Sequence, residues 1–163
     1  MQTPIPSYTH ALRSLAAILA KAETHCDDRK IDPNALLTAR LFPDMMNFTR
    51  NILVACDTAK GLAARLSQTE NPIFDDNETT FAELQARIAK TIEFMESVPE
   101  AAFEGAEQRD VVMKFGPEER TFTGTSYFTG LAVPNFYFHM TTAYNILRHN
   151  GLEIGKRDFL GAA

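Results

Sequence analysis

The residues with the clearest chemical potential are Asn135 and His139, four positions apart in the segment VPNFYFHMTTAYNILRHNG (133–151). This spacing places both side chains on one side of a helix. An imidazole can carry a proton near neutral pH or bind a metal, and an amide both donates and accepts hydrogen bonds. Because the surrounding residues are mostly apolar or aromatic, we expect binding or catalytic chemistry to be concentrated here. The sequence itself identifies no reaction.

His139 has three interpretations. The first is a core histidine that is hydrogen-bonded to a neighbour, since buried polar groups need partners. The second is a pocket residue that donates a hydrogen bond or carries a proton, and the third is a metal ligand. Asn135 follows Pro134, so its amide either satisfies backbone groups freed at a proline kink or lines the pocket.

Two more polar residues are candidates for the same pocket. Asp57 either forms an ion pair within its helix or between helices, or it orients His139 and raises the basicity of the imidazole. Tyr8, on the first predicted helix, either reaches the pocket or is a core side chain. The remaining histidines are expected to be solvated near helix ends: His10, His25 and His149.

Composition and missing motifs exclude several classes of function. The chain of 163 residues has a net charge of −5 and no basic stripe, which argues against nucleic acid and an anionic membrane surface as partners. There is no nucleophile motif, no glycine-rich phosphate loop and no pair of carboxylates at helical spacing. Without a leader-like segment or an uncharged apolar run of about 18 residues, we expect a cytoplasmic protein that does not cross a membrane. Cys26 and Cys56 are then reduced thiols.

Four amphipathic segments predict the long helices that would position these residues. Their bounds are 7–27, 43–66, 81–97 and 125–150. Pro43 predicts the start of the second of them, and Pro134 predicts a kink or break in the last. Gly61, in a run with several alanines, predicts a close approach to another helix. A shorter helix is expected at 34–41, a polar loop at 68–80 and a non-helical tail at 152–163.

Residues 99–124 do not follow a helical period. Val111, Met113 and Phe115 alternate along a short run that ends at a turn beginning with Gly116, which predicts a β-hairpin packed against the helices. The predicted fold is therefore all-α, a four-helix bundle with a short β-hairpin insertion between helices 3 and 4. We expect one domain over residues 1–163.

The last helix has an unusually wide apolar surface. On a helical wheel, Asn135, Phe138 and His139 share one arc with apolar residues, and a second apolar arc contains Met140. Only four side chains are expected to face solvent: Tyr137, Thr141, Asn145 and Arg148. Such a helix is predicted to be buried on two sides, one against the bundle and one against a second subunit. We therefore expect a homodimer formed through helix 4.

Four segments of the chain resemble a bacterial family known as a domain of unknown function in the DinB/YfiT-like superfamily. They are LFPDMMNFTRNILVACDTAKGLAARL (41–66), TTFAELQARIAKTIEFMES (79–97), the segment 133–151 and EIGKRDFLG (153–161). The resemblance covers nearly the whole chain and implies an up-down-down-up bundle that commonly dimerises. It also implies a three-histidine site for a divalent metal, such as Zn or Ni. In such a site one ligand comes from the second long helix and two come from the last helix with HxxxH spacing. Some relatives transfer thiols or hydrolyse small substrates.

This chain departs from that ligand pattern. Asn135 and His139 stand at the two HxxxH positions, and Val54 stands near the place of the third ligand. One imidazole and one amide are a poor set for catalytic zinc, which takes three protein ligands. We therefore expect a bundle without the intact metal site that binds an unidentified small molecule near Asn135 and His139. The alternatives are a metal-dependent hydrolase or thiol transferase that uses His139 with ligands such as Asp57, and a dimeric interaction protein without enzymatic activity.

Overall fold

Four long helices account for most of the fold, in a computed structural model that describes residues 3–162. The helices and strands follow in chain order: α1 (Ile5–Arg29), α2 (Pro33–Leu37), α3 (Phe48–Ser67), α4 (Phe81–Ser97), β1 (Asp110–Phe115), β2 (Glu118–Thr123), α5 (Gly124–Tyr127), α6 (Val133–His149) and α7 (Lys156–Phe159). Two 3-10 turns, Glu100–Phe103 and Ala106–Gln108, precede β1. A π-helical segment, Phe128–Ala132, joins α5 to α6.

Side-chain contacts show that α1 and α4 run in opposite directions. Arg13 of α1 pairs with Glu96 near the end of α4, at 2.6 Å. Further along α1, the carbonyl of Ala16 accepts a hydrogen bond from Gln85, which lies nearer the start of α4. As the residue number rises on one helix it falls on the other, so the pair is antiparallel.

The two central helices, α3 and α4, run in the same direction. The rings of Phe48 and Phe81 meet at the start of both helices, with centroids 6.3 Å apart. About two turns later along each helix, Asp57 of α3 pairs with Arg87 of α4. Parallel neighbours cannot be joined by a tight turn, which explains the long segment 68–80 between them.

The last long helix, α6, is antiparallel to α3. Asn51 near the start of α3 meets His139, and Thr58 two turns later meets Asn135, which comes earlier in α6. With α1 taken as up, α3 and α4 run down and α6 runs up. The predicted up-down-down-up bundle with a hairpin insertion is therefore confirmed.

The start of α3 is five residues later than predicted, at Phe48 rather than at Pro43. The side chain of Asn47 caps the helix by accepting a hydrogen bond from the backbone of Arg50, at 2.8 Å. Pro43 lies in the preceding exposed turn, where Arg40 donates to its carbonyl. An asparagine cap satisfies the free N–H groups of a first helical turn, so this signal overrode the proline signal.

The other boundary of the α3–α4 connection agrees with prediction. α4 covers the predicted residues 81–97. Thr80 accepts a hydrogen bond from the backbone N–H of Glu83, and the carboxylate of Glu83 accepts one from the backbone N–H of Thr80. This reciprocal arrangement is a capping box, which fixes the first turn of the helix.

The predicted hairpin is present as an antiparallel pair of strands. Val111 pairs with Phe122, and Phe115 pairs with Glu118 across the turn. Gly116 occupies the turn with φ of +60°, a backbone conformation that favours glycine. Val111 is buried against the bundle, so the hairpin is held by packing as well as by its own hydrogen bonds.

The last predicted helix is continuous from Gly124 to His149, and it changes to a π-helical turn just before Pro134 instead of breaking there. The π-helical segment ends at Ala132, and α6 begins at Val133 with the proline in its first turn. Proline has no N–H to donate, and the π-helical turn before it is a local change of hydrogen-bond register of the kind found where a helical hydrogen bond is lost. The tail contains one helical turn that was not predicted, α7, and Phe159 at its end packs on the ring of Tyr144.

The exposed surface of α6 differs in part from the prediction. Tyr137, Thr141, Asn145 and Arg148 are exposed as expected. The second apolar arc faces the bundle, because Met140 is buried in its core, whereas Phe138 is 58% exposed. No helix of the described residues is long and apolar enough to cross a membrane.

Candidate functional site

His139 lies against Asn51, a residue of α3 that the sequence analysis did not consider. The amide nitrogen of Asn51 donates to the carbonyls of Met46 and Asn47, at 3.1 and 2.8 Å. The amide oxygen of Asn51 is thus an acceptor, and Nδ1 of His139 lies 2.9 Å from it. The hydrogen-bond network therefore assigns the proton to Nδ1 and leaves Nε2 with its lone pair.

The environment keeps the His139 imidazole neutral. Burial lowers its pKa, and the positive charge of Arg50 lowers it further. His139 is only 6% exposed, and Nε2 has no hydrogen-bond partner among the described residues. A neutral imidazole with a fixed tautomer can accept a hydrogen bond or a proton at this free nitrogen.

Asn135 forms a second polar pair between the same two helices. Thr58 donates its hydroxyl hydrogen to the carbonyl of Val54, at 2.8 Å. Its oxygen then accepts from the amide nitrogen of Asn135, also at 2.8 Å. The amide of Asn135 is therefore oriented by Thr58 and not by backbone groups beside Pro134. Its oxygen, Oδ1, is an acceptor without a partner among residues 3–162.

Asp57 forms ion pairs and does not orient His139. Its carboxylate lies 2.9 Å from Arg87 of α4 and 3.2 Å from Lys60 of its own helix. The ion-pair interpretation of Asp57 thus describes its contacts, and the group that fixes the His139 tautomer is the amide of Asn51.

Tyr8 is a core side chain next to α6. It is buried, and its ring packs on that of Phe136 with centroids 4.4 Å apart. Burial and the nearby Tyr137 and Tyr127 raise the pKa of the Tyr8 hydroxyl. That hydroxyl is buried without a hydrogen-bond partner among the described residues.

A cavity of about 260 Å³ lies between α3, the hairpin and the start of α6. Its wall combines polar and apolar side chains: Asp57, Thr58, Arg65, Met113, Phe115, Tyr127, Leu131, Ala132 and Asn135. Two of the four predicted pocket residues, Asn135 and Asp57, line this cavity. His139 lies one helical turn beyond Asn135, outside it, and Tyr8 lies in the core. A larger groove of about 480 Å³ on α1 is a shallow surface feature bordered mainly by exposed charged side chains such as Lys21 and Arg29.

Arg65 is a charged residue of this cavity that was not among the candidates from the sequence. Its Nη1 donates to the hydroxyl of Tyr127 at 3.1 Å, and the guanidinium lies 5.8 Å from the centre of the Tyr127 ring. The guanidinium folds back over Gly61, where a Cβ would overlap Nη1. The space directly above Gly61 therefore holds Arg65 of the same helix, whereas the alanines Ala59 and Ala63 of the same run are fully buried in the core.

The three polar residues that α3 presents toward α5 and α6 have a regular spacing. Asn51, Thr58 and Arg65 are separated by seven residues each, which places them on one face of the helix two turns apart. They meet His139, Asn135 and Tyr127 respectively. We name this row the polar ladder. Its seven-residue spacing is the sequence signal that would have found Asn51 and Arg65.

The residues around His139 do not fit the three-histidine metal site that the superfamily implies. The side chains nearest to the expected ligand positions are Val54, which has no donor atom, and the amides of Asn51 and Asn135. The amide oxygen of Asn51 is already engaged by His139, whereas Asn135 uses only its amide nitrogen, so the possible ligands are one imidazole and one amide oxygen. Among the described residues, no group of three or more His, Cys, Asp or Glu side chains is arranged to hold a metal ion.

Fold and comparison agree on the class of protein, a DinB-like helical bundle. A solved structure described as a DinB family member protein from Shewanella denitrificans is 42% identical in sequence, with a TM-score of 0.91. The match covers 98% of this chain and 90% of that one. The chain belongs to the family described as a domain of unknown function, DUF1993, which matches residues 1–160. No curated protein matches the chain.

Proposed function

We propose that this protein binds a small molecule in the cavity beside Asn135. The observation that carries the proposal is the cavity of about 260 Å³, whose wall contains polar groups from α3 and α6 and apolar groups from the hairpin and the π-helical segment. Small-molecule sites are typically concave and largely apolar, with a few fixed polar groups that orient the ligand.

The polar groups of this cavity are held in place before a ligand arrives. Asn135 is oriented by Thr58, with Oδ1 free to accept a hydrogen bond. The carboxylate of Asp57 is fixed by Arg87 and Lys60. Groups that are ordered in the free protein lose little conformational entropy when a ligand binds, which favours affinity. His139, one turn away, fixes the same stretch of α6 through Asn51.

A cavity-filling variant tests the proposal. We expect Leu131→Trp to occupy the space and to abolish the binding of fragments detected by ligand-observed NMR in a set that includes anionic, neutral and cationic compounds. Ile73→Trp is the matched control, because it adds the same ring at a position that is 94% exposed on the loop. Fragments that bind wild type and Leu131→Trp equally would contradict the proposal.

A second proposal concerns self-association, and it rests on exposed apolar side chains near the Asn51–His139 pair. Phe138 of α6 precedes His139 and contacts its ring. Met46, whose carbonyl accepts from Asn51, is exposed together with Leu41 and Phe42 in the loop before α3. Clustered exposed apolar side chains are typical of interaction surfaces, and the contacts from Phe138 through His139 and Asn51 to Met46 place two of these side chains near one another. We propose that they form a homodimer interface that includes helix α6.

The dimer proposal is tested at Phe138. Met140 is unsuitable for this purpose, because it lies in the core and its substitution would disturb folding. We expect Phe138→Lys to give a monomer in sedimentation velocity, whereas Thr24→Lys, at an exposed position of α1 outside the proposed interface, keeps the wild-type mass. A wild-type protein that is already monomeric at high concentration would contradict this proposal.

A further inference from the structure

We propose that the cavity recognises a carboxylate, with Arg65 as the residue that binds it. The ligand class is a small monocarboxylate with an apolar body and a hydrogen-bond donor. This inference rests on the proposed small-molecule function and adds the charge of the ligand and the residue that selects it.

The first support is the unbalanced charge of Arg65. Its only hydrogen bond within the described residues goes to the neutral hydroxyl of Tyr127, and its guanidinium lies over the ring of the same residue. No carboxylate of residues 3–162 forms an ion pair with it. A guanidinium has five N–H donors in a planar arrangement that matches a carboxylate. Most of these donors remain available to a ligand in the cavity.

The second support is that the fold positions this guanidinium. Gly61 leaves open the space in which the Arg65 side chain folds back along α3, and a methyl group there would overlap it. The hydroxyl of Tyr127 then holds Nη1. A surface arginine normally extends into solvent and samples many rotamers. Here the side chain is held at the wall of a cavity, which lowers the entropy cost of binding an anion.

The acidic residue of the same cavity does not oppose an anion at Arg65. Asp57 is neutralised by two cations, Arg87 at 2.9 Å and Lys60 at 3.2 Å. The guanidinium of Arg65 folds back over Gly61, four residues after Asp57, which is about 6 Å along the helix axis, so the pairing of Asp57 with these cations is what limits its repulsion of an anion. The cavity wall therefore combines a carboxylate that is compensated by cations with a guanidinium that has no carboxylate partner among the described residues.

The other lining residues indicate the chemistry of the rest of the ligand. Met113, Phe115 and Leu131 provide apolar surface in the same wall. The amide nitrogen of Asn135 already donates to Thr58, whereas its oxygen, Oδ1, has no donor among the described residues. A molecule with a carboxylate at one end, an apolar body and a hydroxyl or amino hydrogen along it would satisfy each of these groups.

Three compounds of nearly the same shape and different charge test the proposal: benzoate, benzamide and benzamidinium. Each is titrated into the full-length protein and followed by protein-observed NMR. We expect benzoate to bind at least about tenfold more tightly than benzamide, which corresponds to about 1.4 kcal/mol, and benzamidinium to bind most weakly. Adding a 3-hydroxyl group to benzoate should strengthen binding in wild type and not in Asn135→Leu.

Two variants assign the preference to Arg65. Arg65→Gln should reduce benzoate affinity to that of benzamide and leave benzamide unchanged. Gly61→Ala should have the same effect on benzoate by displacing the guanidinium, while the helix itself is stabilised by the exchange of glycine for alanine. This second variant separates ligand selection from loss of fold. A benzoate preference that survives both substitutions would overturn the assignment.

The outcomes also distinguish this inference from the function on which it rests. Binding of all three compounds with equal affinity, abolished by Leu131→Trp, would support the cavity and overturn the carboxylate preference. Tighter binding of benzamidinium would do the same. If no compound binds wild type at millimolar concentration and the wider fragment set also fails, both proposals fall.

Discussion

The two polar faces of α3 differ in whether their charged groups have partners of opposite charge. Toward α4, Arg87 is almost fully buried and donates to Asp57, Asp76 and Glu78, each at 2.9–3.0 Å. Burial alone would lower the pKa of Arg87, but these carboxylates outweigh burial and raise it. Toward α5 and α6, each step of the polar ladder keeps a spare atom, including Nε2 of His139, Oδ1 of Asn135 and most of the guanidinium of Arg65.

One face of α3 therefore stabilises the fold, and the other face can bind a ligand. The α4 face uses its charges to fasten the loop 68–80, whose backbone at Asp75 also accepts from Arg87 and whose Phe74 ring stacks on the guanidinium. The ladder face holds its polar groups in fixed orientations with unused hydrogen-bonding capacity. Charges that are balanced by opposite charges stabilise the fold, although Nε of Arg87 and Oε2 of Glu78 are buried without a hydrogen-bond partner among the described residues. Ordered groups without such a partner can instead bind a ligand.

The largest effect on stability is expected from disrupting the ion pairs of Arg87 on the side of α3 that faces α4. Arg87→Met would leave the carboxylates of Asp57, Asp76 and Glu78 without their shared cation. We expect a loss of about 3 kcal/mol in the free energy of unfolding, at the lower end of the range for a broken buried pair, because two of the carboxylates are partly exposed. Urea denaturation measures it. Arg13→Met, which removes an exposed pair with Glu96, is the control and should cost less than about 1 kcal/mol.

The Asn51–His139 step should show the next largest effect. His139→Leu preserves volume but leaves the amide oxygen of Asn51 without its donor, which is expected to cost about 1–3 kcal/mol at pH 7.5. A denaturation midpoint equal to that of wild type would show that this pair does not contribute to the core.

The same pair should make stability depend on pH. The pKa of His139 is lower in the folded protein than its unfolded value of about 6.5, so the unfolded chain binds the proton more readily. The contribution of the neutral imidazole is fully present above pH 6.5 and is lost as pH falls through the lower folded pKa. The difference in unfolding free energy between wild type and His139→Leu should therefore be smaller at pH 5.5 than at pH 7.5. His149→Gln, at an exposed site, should retain the wild-type difference.

A smaller change of opposite sign is expected at Tyr8, outside both faces of α3. Its hydroxyl is buried without a partner in the described structure, and a buried unsatisfied group is unfavourable. Tyr8→Phe should raise the free energy of unfolding by about 1 kcal/mol. Destabilisation of that size in urea titrations would instead show that the hydroxyl has a partner and belongs with the paired groups.

The smallest effect on stability is expected from Arg65→Gln. The guanidinium forms one hydrogen bond to Tyr127 at the wall of a cavity, so its loss should change the unfolding free energy by less than about 1 kcal/mol. In contrast to Arg87, this arginine should matter for ligand binding and little for folding. A loss as large as that of Arg87→Met would remove the distinction between the two faces.

The helices were predictable because their signals are local. The apolar spacing of 81–97 and the Thr80–Glu83 capping box lie within a few residues of each other, and the predicted α4 agrees with the structure. The prediction of the start of α3 was wrong because two possible helix starts, Pro43 and Asn47, lie within five residues of each other. The asparagine side chain caps the helix with a hydrogen bond, whereas a proline is only compatible with a first helical turn and forms no such bond.

The site was less predictable because its pairs join residues far apart in the chain. The apolar residues around His139 in the sequence were enough to predict a buried, hydrogen-bonded imidazole. They could not identify its partner, because Asn51 is 88 residues away in the chain. Arg65 was missed because a guanidinium is usually solvated, and its position depends on the absent side chain of Gly61 and on Tyr127. Such information enters only when α3, α5 and α6 are brought together.

The most direct test of the ligand account is a crystal structure of the protein soaked with benzoate. The account predicts the carboxylate within hydrogen-bond distance of the Arg65 guanidinium, with the ring against Met113 and Leu131. Benzoate bound instead at the surface groove beside Lys21, with the cavity unchanged and Arg65 still bonded only to Tyr127, would contradict it.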